Sequence, residues 1–203
     1  MTAQKEITKN MLFRIIKRTF DILISTFALL VIVPILIIIV IGIKMSGPGP
    51  IFFRQRRIGL AGKQFDFVKF RTMKIDATEL RTGPVFALKN DPRITPIGAF
   101  LRLTSIDELP QFISVLKGDM SIVGPRPSLP LEIKHYTDEQ KKRFNVKPGI
   151  TGYWQTFGRE KGVHDLDNMI EMDLEYIRKQ SLWLDLNIIG KTILMGLLKK
   201  GAY

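Results

Sequence analysis

The chain contains no cysteine and only two histidines, His135 and His164. Disulfides are therefore excluded, and the thiolate and imidazole ligands of a zinc site are missing. Any metal would have to be a hard cation held by carboxylate oxygens. Acidic residues are also scarce: 19 Asp and Glu stand against 31 Lys and Arg, a net charge of +12. That balance points to anionic partners, whether lipid headgroups, phosphorylated small molecules or nucleic acid. The basic residues are dispersed and no recognition helix or RNA-binding signature accompanies them, so no nucleic acid is expected. The sequence also lacks a GxxxxGK[ST] loop, a GxGxxG after a strand, an HExxH and a GxSxG.

What is abundant is one apolar run. Ile22 to Ile43 is 22 residues without a charge, interrupted by Pro34. As a straight helix it would measure about 33 Å, enough for a bilayer core of about 30 Å. Basic residues flank it on both sides: Lys5, Lys9, Arg14, Lys17 and Arg18 before it, and Lys44, Arg54, Arg56, Arg57 and Lys63 after it. Spanning helices leave most Lys and Arg on the cytoplasmic side, and here neither side is basic-poor. Pro34 lacks an N–H, frees the Leu30 carbonyl and kinks the chain, dividing the run into arms of about 12 and 9 residues, about 18 and 14 Å long. Each arm reaches about one leaflet. A re-entrant hairpin with both ends on the cytoplasmic face fits these features, and so does a kinked spanning helix. A cleaved signal peptide fits poorly, because the run is too long and no small-residue cleavage site follows.

The residues beyond the run suffice for one compact domain. Before the run, Leu12, Ile15, Ile16, Thr19, Phe20 and Leu23 share one helical face, with Arg14, Lys17, Arg18 and Asp21 opposite, which predicts an interfacial helix leading into it. The breaker cluster Ser46-Gly47-Pro48-Gly49-Pro50 marks the boundary between a membrane segment, 1–46, and a catalytic-sized domain, 47–203. Ile51-Phe52-Phe53 and the alternating Phe65 to Phe70 read as strands around a turn at Gly59-Leu60-Ala61-Gly62. Residues 74–95 read as a long loop with some helix. Helices are predicted near 97–103, 108–117, 137–144, 165–179 and 184–199, with Thr137 and Gln140 at capping-box spacing. Leu182, Leu186, Ile189, Ile193 and Leu197 form a stripe that suits a core-facing helix, while Trp183 at its start suits a membrane-surface one. The fold class is α+β and mainly helical, with a small β-hairpin and amphipathic surface helices.

The candidate chemistry lies in Arg102-Leu103-Thr104-Ser105-Ile106-Asp107-Glu108-Leu109-Pro110-Gln111 and in Gly124-Pro125-Arg126-Pro127. Taken alone, Asp107-Glu108 is an ordinary acidic first turn, since Ser105 and Glu108 have capping-box spacing. A helix N-terminus with Arg102 and Arg126 nearby would also attract phosphate, and two adjacent carboxylates plus a diphosphate make an oxygen-only Mg2+ site. Arg126, between two prolines, sits on a stiff loop suited to a fixed fork for phosphate oxygens.

The sequence resembles the bacterial monotopic phosphoglycosyl transferases, the initiating sugar transferases. The resemblance is carried by Lys17-Arg18-Thr19-Phe20-Asp21, Gly47 to Gln55, Lys69-Phe70-Arg71-Thr72-Met73, Ser105 to Gln111, Lys117 to Ser121, Val123 to Pro127 and Lys147-Pro148-Gly149-Ile150-Thr151-Gly152. It runs from residue 14 to 198, nearly the whole chain. It implies an enzyme at the cytoplasmic face of the bacterial inner membrane that moves a sugar-1-phosphate from a UDP-sugar to polyprenyl (undecaprenyl) phosphate. UMP leaves, and assembly of a polysaccharide or glycoprotein glycan begins. By position, Asp107 is the nucleophile of a covalent step and a Mg2+ ligand, with Glu108 as its acidic partner. Arg102, Arg126, Arg159 and Lys147 match phosphate-binding positions, and Pro34 matches the proline that breaks a re-entrant helix hairpin. The implied partners include an anionic lipid membrane, with room for a homo-oligomer. This sequence departs from the family in two places: Val33 precedes the breaking proline where Ser is usual, and Lys147 stands where Arg is common, exchanging a forked contact for a point charge.

Overall fold

A computed structural model describes residues 2–74, 91–158, 162–163 and 165–197. Most of the loop expected at 74–95, together with Arg159 and His164, lies outside these residues. The first element, α1 (Thr2–Met45), is one long helix with Pro34 inside it. It is long and apolar enough to cross a membrane. It runs through Pro34 as a single element, and two separate arms are not shown.

The polar face of α1 docks on the rest of the chain. Arg18 donates to the carbonyls of Val115 and Leu116 at 2.5 and 2.8 Å. Lys17 pairs with Asp185 at 2.5 Å. Buried Asp21 accepts from the Ser121 hydroxyl and the Ile122 N–H at 3.1 and 2.9 Å. Leu12, Ile15 and Leu23 are exposed on the other side. This division, polar groups against protein and branched apolar groups outward, suits a helix whose free face meets lipid. Farther along, Ile39 and Ile43 are buried against Phe70 and Leu101, so the helix touches the domain near both ends of its apolar run.

Arg71 closes the C-terminus of α1. Buried at the end of the hairpin, it donates to the carbonyls of Ile43, Gly47 and Pro48 at 2.9, 2.8 and 2.5 Å, supplying charge and donors where a helix leaves carbonyls unpaired. The hairpin itself is β1 (Phe52–Ile58) and β2 (Gln64–Phe70), antiparallel from Phe52↔Phe70 to Ile58↔Gln64. β1 runs longer than its apolar start predicts, because cross-strand pairing carries Arg54-Gln55-Arg56-Arg57 into the ladder.

Three short elements follow: α2 (Pro96–Leu103), a 3-10 turn (Ile106–Glu108) and α3 (Gln111–Lys117). Then β3 (Ser121–Val123) pairs in parallel with β4 (Gly149–Thr151). Between those strands lies α4 (Asp138–Lys141), which carries the predicted Thr137–Gln140 capping box. A π-helical turn (Trp154–Gly158), α5 (Leu166–Lys179) and α6 (Leu182–Leu197) complete the chain. The main core joins Phe65 and Phe67 of β2, Val115 of α3, Val123 of β3, Tyr176 of α5 and Ile188 of α6. The α6 stripe is split: Ile189 packs against the main core beside inward-pointing Asp185 and Ile188, whereas Leu186 and Ile193, like Trp183, are exposed. The polar pairs of Asp185 with Lys17 and Tyr176 turn the helix this way.

Candidate active site

The acidic pair sits in a tight turn that the sequence builds from both sides. α2 stops at Leu103, and Ser105 then adopts a left-handed backbone with φ 56°. For a residue with a side chain this conformation is uncommon and costs energy. Pro110 has no N–H to bond back to the Ile106 carbonyl, so no continuous α-helix runs from 106 through 110, and residues 106–108 form a 3-10 turn ahead of α3. The capping box expected from Ser105 and Glu108 does not form, and the Ser105 side chain makes no cap. The turn points Asp107 into the domain, where it is 7% exposed.

Lys69 faces the pair. Its ammonium is ion-paired with Glu108 and lies 3.8 Å from Asp107 Oδ2. It shares a strand face with Phe65 and Phe67, and lies 5.4 Å from the centre of the Phe67 ring. Burial pushes the Asp107 carboxyl up to about 6; Lys69 pulls it down, Glu108 pushes it up and Arg102 pulls it down. A carboxylate so poised is ionised at neutral pH yet poorly solvated, which favours reaction with an electrophile.

Arg102 reaches the turn from α2. Gly98 lets that helix lie against the chain at Thr72, since a Cβ there would sit 2.1 Å from the Thr72 carbonyl oxygen. Arg102 Nε donates to Thr72 Oγ1 at 2.9 Å. Burial lowers the pKa of its guanidinium, while the charge of Asp107 raises it.

The opposite wall is the Gly124-Pro125-Arg126-Pro127 loop, locked to the start of β4. Gly149 N donates to the Pro125 carbonyl at 2.9 Å and Gly124 N to the Thr151 carbonyl at 3.0 Å. Both glycines are required by close approach: a Cβ on Gly149 would lie 2.1 Å from Gly124 N, and one on Gly124 would lie 2.4 Å from the Lys147 carbonyl. Arg143 braces this wall from behind, donating to the Arg126 carbonyl and the Tyr136 hydroxyl, each at 3.0 Å, while ion-paired to buried Asp173.

On this wall the Arg126 guanidinium lies 6.0 Å from the Trp154 ring centre. Arg57 approaches from β1. It lies 5.3 Å from the Phe67 ring centre and donates to the Pro127 carbonyl at 3.0 Å and to Gln55 Oε1 at 2.7 and 3.0 Å. Burial, and then the charge of Arg126, bring the Arg57 guanidinium down to about 10. Such crowded cations gain from an anion between them. Arg57, Lys69, Glu108 and Arg126 line a cavity of about 120 Å3 together with Gln111 and Gln155.

The fold therefore brings Asp107, Glu108, Arg102 and Arg126 into one neighbourhood. Lys147 is elsewhere: its ammonium lies with Arg18 at Gly118, where α3 ends. Burial and the charge of Arg18 lower its pKa. Arg57 and Lys69 escape a sequence reading that treats them as flanking charge and as part of a motif. The signal for both was parity, because each falls on the hairpin face that carries Phe65, Phe67 and Gln55.

The bacterial sugar transferase family model matches residues 12–199. The chain belongs to that family. It is 45% identical over 197 residues to a galactosyl transferase of Streptococcus agalactiae, covering 93% of this chain and 43% of the relative. It is also 45% identical over 196 residues to the UDP-glucose:undecaprenyl-phosphate glucose-1-phosphate transferase of Escherichia coli, covering 94% and 42% respectively. The undecaprenyl-phosphate galactose phosphotransferase of Salmonella typhimurium is 41% identical over 203 residues, covering 94% and 42%. The chain spans less than half the length of these curated relatives.

Proposed function

We propose that this sugar transferase is a phosphoglycosyl transferase that moves a sugar-1-phosphate from a UDP-sugar to undecaprenyl phosphate at the cytoplasmic face of the bacterial inner membrane. The observation that carries this reading is Asp107, a buried carboxylate held up to about 6 beside Glu108 and Lys69, next to a cavity walled by arginines. An Asp107 oxygen attacks the β-phosphorus, and the bond from that phosphorus to the bridging oxygen breaks. UMP leaves with the bridging oxygen, and the phospho-sugar stays on Asp107 as an acyl phosphate. An oxygen of undecaprenyl phosphate then attacks the same phosphorus and frees the carboxylate. Arg57, Arg102 and Arg126 offset the charge of the diphosphate oxygens, which would otherwise repel the nucleophile.

The donor set also fits Mg2+. Asp107 and Glu108 converge on one cationic centre, the Lys69 ammonium, and offer oxygens alone. Among the described residues no cluster of three or more Asp, Glu, His or Cys forms a metal site, so substrate and water oxygens would complete the shell. Bound there, Mg2+ would neutralise phosphate charge.

Re-entry of α1 is supported by its contacts. Asp21 and Ile43 are about 33 Å apart along a straight helix, roughly a bilayer core. Yet Asp21 bonds to Ser121 and Ile122, and Ile43 packs against Leu101 and Phe70 of the same domain. A bilayer-spanning α1 would place one of these contacts on the far side of the membrane. With Pro34 as the bend, both stay on the cytoplasmic side, and the site sits where a lipid phosphate meets a soluble nucleotide sugar.

The test is UMP release by purified protein in detergent, given Mg2+, undecaprenyl phosphate and a panel of UDP-sugars. Relatives named for glucose and for galactose are about equally similar, so both sugars belong in that panel. Release from at least one UDP-sugar, dependent on lipid phosphate for sustained turnover, is expected. No release from any of them contradicts the proposal.

A further inference from the structure

Two amide side chains in the cavity have hydrogen-bonding atoms that no group among the described residues satisfies. Gln111, the first residue of α3, is 1% exposed, yet its Nε2 has no hydrogen-bond partner among the described residues. Gln155, in the π-helical turn, has a buried Oε1 in the same condition. Both side chains line the cavity with Arg57, Lys69, Glu108 and Arg126. The orientation of Gln155 is chemically fixed, because its Nε2 donates to the Ile150 carbonyl at 3.2 Å. Flipping the amide would set two acceptors against each other. Gly152 leaves room for it, since a Cβ there would lie 3.1 Å from Gln155 Oε1. Buried polar atoms are nearly always paired, and leaving one unpaired destabilises the free protein. Here two such atoms occur in one cavity, beside the groups assigned to the diphosphate.

We propose that Gln111 and Gln155 form a neutral subsite that hydrogen-bonds an uncharged donor–acceptor group of the nucleotide sugar. The inference rests on the phosphoglycosyl transferase reading and deepens it. Gln111 Nε2 offers a donor and Gln155 Oε1 an acceptor, so the ligand group must both accept and donate. Phosphate oxygens fail that requirement, since ionised phosphate only accepts and would face the Gln155 carbonyl oxygen with like charge. The cations are there for phosphate, and the amides are there for the neutral part. Two pieces of a UDP-sugar meet the requirement: a sugar hydroxyl, and the imide edge of uracil with its N–H and carbonyl groups. A site built to satisfy such a group rejects an analogue lacking it, because the buried amide is then left unpaired.

The test uses the whole protein and single substitutions of similar size, Gln111→Met and Gln155→Met. Steady-state UMP release is measured with UDP-glucose and UDP-galactose, along with inhibition by UMP and the thermal midpoint. Each variant is expected to raise KM for the better UDP-sugar about tenfold, the equivalent of one hydrogen bond to a neutral group. For Gln111→Met the midpoint should stay level or rise, since an unsatisfied buried amide has been removed, whereas Gln155→Met also gives up the bond to the Ile150 carbonyl and should lower it. If the subsite holds a sugar hydroxyl, inhibition by UMP is unchanged and the preference between the two sugars shrinks. If it holds uracil, UMP inhibits about tenfold more weakly and the preference is kept. Gln111→Glu provides a second variant, turning the donor into an acceptor of the same size, and should weaken binding at least as much. KM and UMP inhibition within twofold of the parent in all variants would overturn the subsite. So would a loss of rate with lowered midpoint and unchanged KM, the mark of a structural role. Inactive parent protein would instead remove the enzymatic reading itself, so the two failures are distinguishable.

Discussion

Lys69 Nζ lies 3.8 Å from Asp107 Oδ2. That contact joins a strand residue to the turn after α2, and it sets the state of the carboxylate. Burial raises Asp107 to about 6; without the ammonium it would rise further, and Glu108 pushes it up as well.

A pH profile follows from this balance. A carboxylate nucleophile works ionised, so the first UMP released without lipid acceptor should increase as pH rises through about 6 and then level off. Lys69→Met should move the acid limb about one unit higher, and Glu108→Gln should move it lower. A limb that neither substitution moves would assign the titration to another group. Stability has the opposite sense. The folded pKa exceeds the ordinary value of 3.8, so the native state holds the proton more tightly between the two values and loses stability as pH rises across them. Asp107→Asn removes that loss, and its thermal midpoint at neutral pH should lie above the parent's.

Arg57 and Arg126 should be equally sensitive. Arg57→Ala or Arg126→Ala is expected to reduce turnover about a hundredfold, the equivalent of about 3 kcal/mol of lost charge stabilisation, while circular dichroism stays unchanged. Arg57→Lys should also fail, because a lysine cannot bridge Gln55 and the Pro127 carbonyl while reaching the cavity. Activity within a few-fold of the parent would make both arginines framework residues.

The absence of cysteine makes topology directly measurable. Met11→Cys and Met45→Cys replace exposed residues before and after the apolar run. In sealed, oriented vesicles an impermeant thiol reagent should label both from the cytoplasmic side. Labelling from opposite faces contradicts re-entry. Pro34→Leu removes the residue proposed to bend α1 and should shift one of the two positions out of reach.

Much of this was legible in the sequence where the signal is local. The apolar run, the Asp165-capped helix to Lys179, the Thr137–Gln140 box and the turn at 59–62 all depend on residues close in sequence. What escaped depends on distant partners. β3 and β4 are three residues each, too short to alternate, and they pair across a long separation. The exposed face of α6 is set by Lys17 of α1, some 168 residues earlier. Asp107 and Arg126 stood out because their neighbours form recognisable motifs. Arg57 and Lys69 became visible only once the hairpin register put them on the inner face. Lys147 read as a ligand from its place before Pro148-Gly149, yet its side chain lies with Arg18 at the end of α3.

The most direct test of the central claim is the intact mass of the protein after incubation with a UDP-sugar and Mg2+ in the absence of lipid phosphate. The account predicts one phospho-sugar adduct on Asp107, matched by no more than one UMP per chain and removed by hydroxylamine, with no adduct on Asp107→Asn. Adding undecaprenyl phosphate should discharge it. Turnover that proceeds only with both substrates present, and leaves Asp107 unmodified throughout, would contradict the covalent route and reduce the acidic pair to a metal site for direct attack by the lipid phosphate.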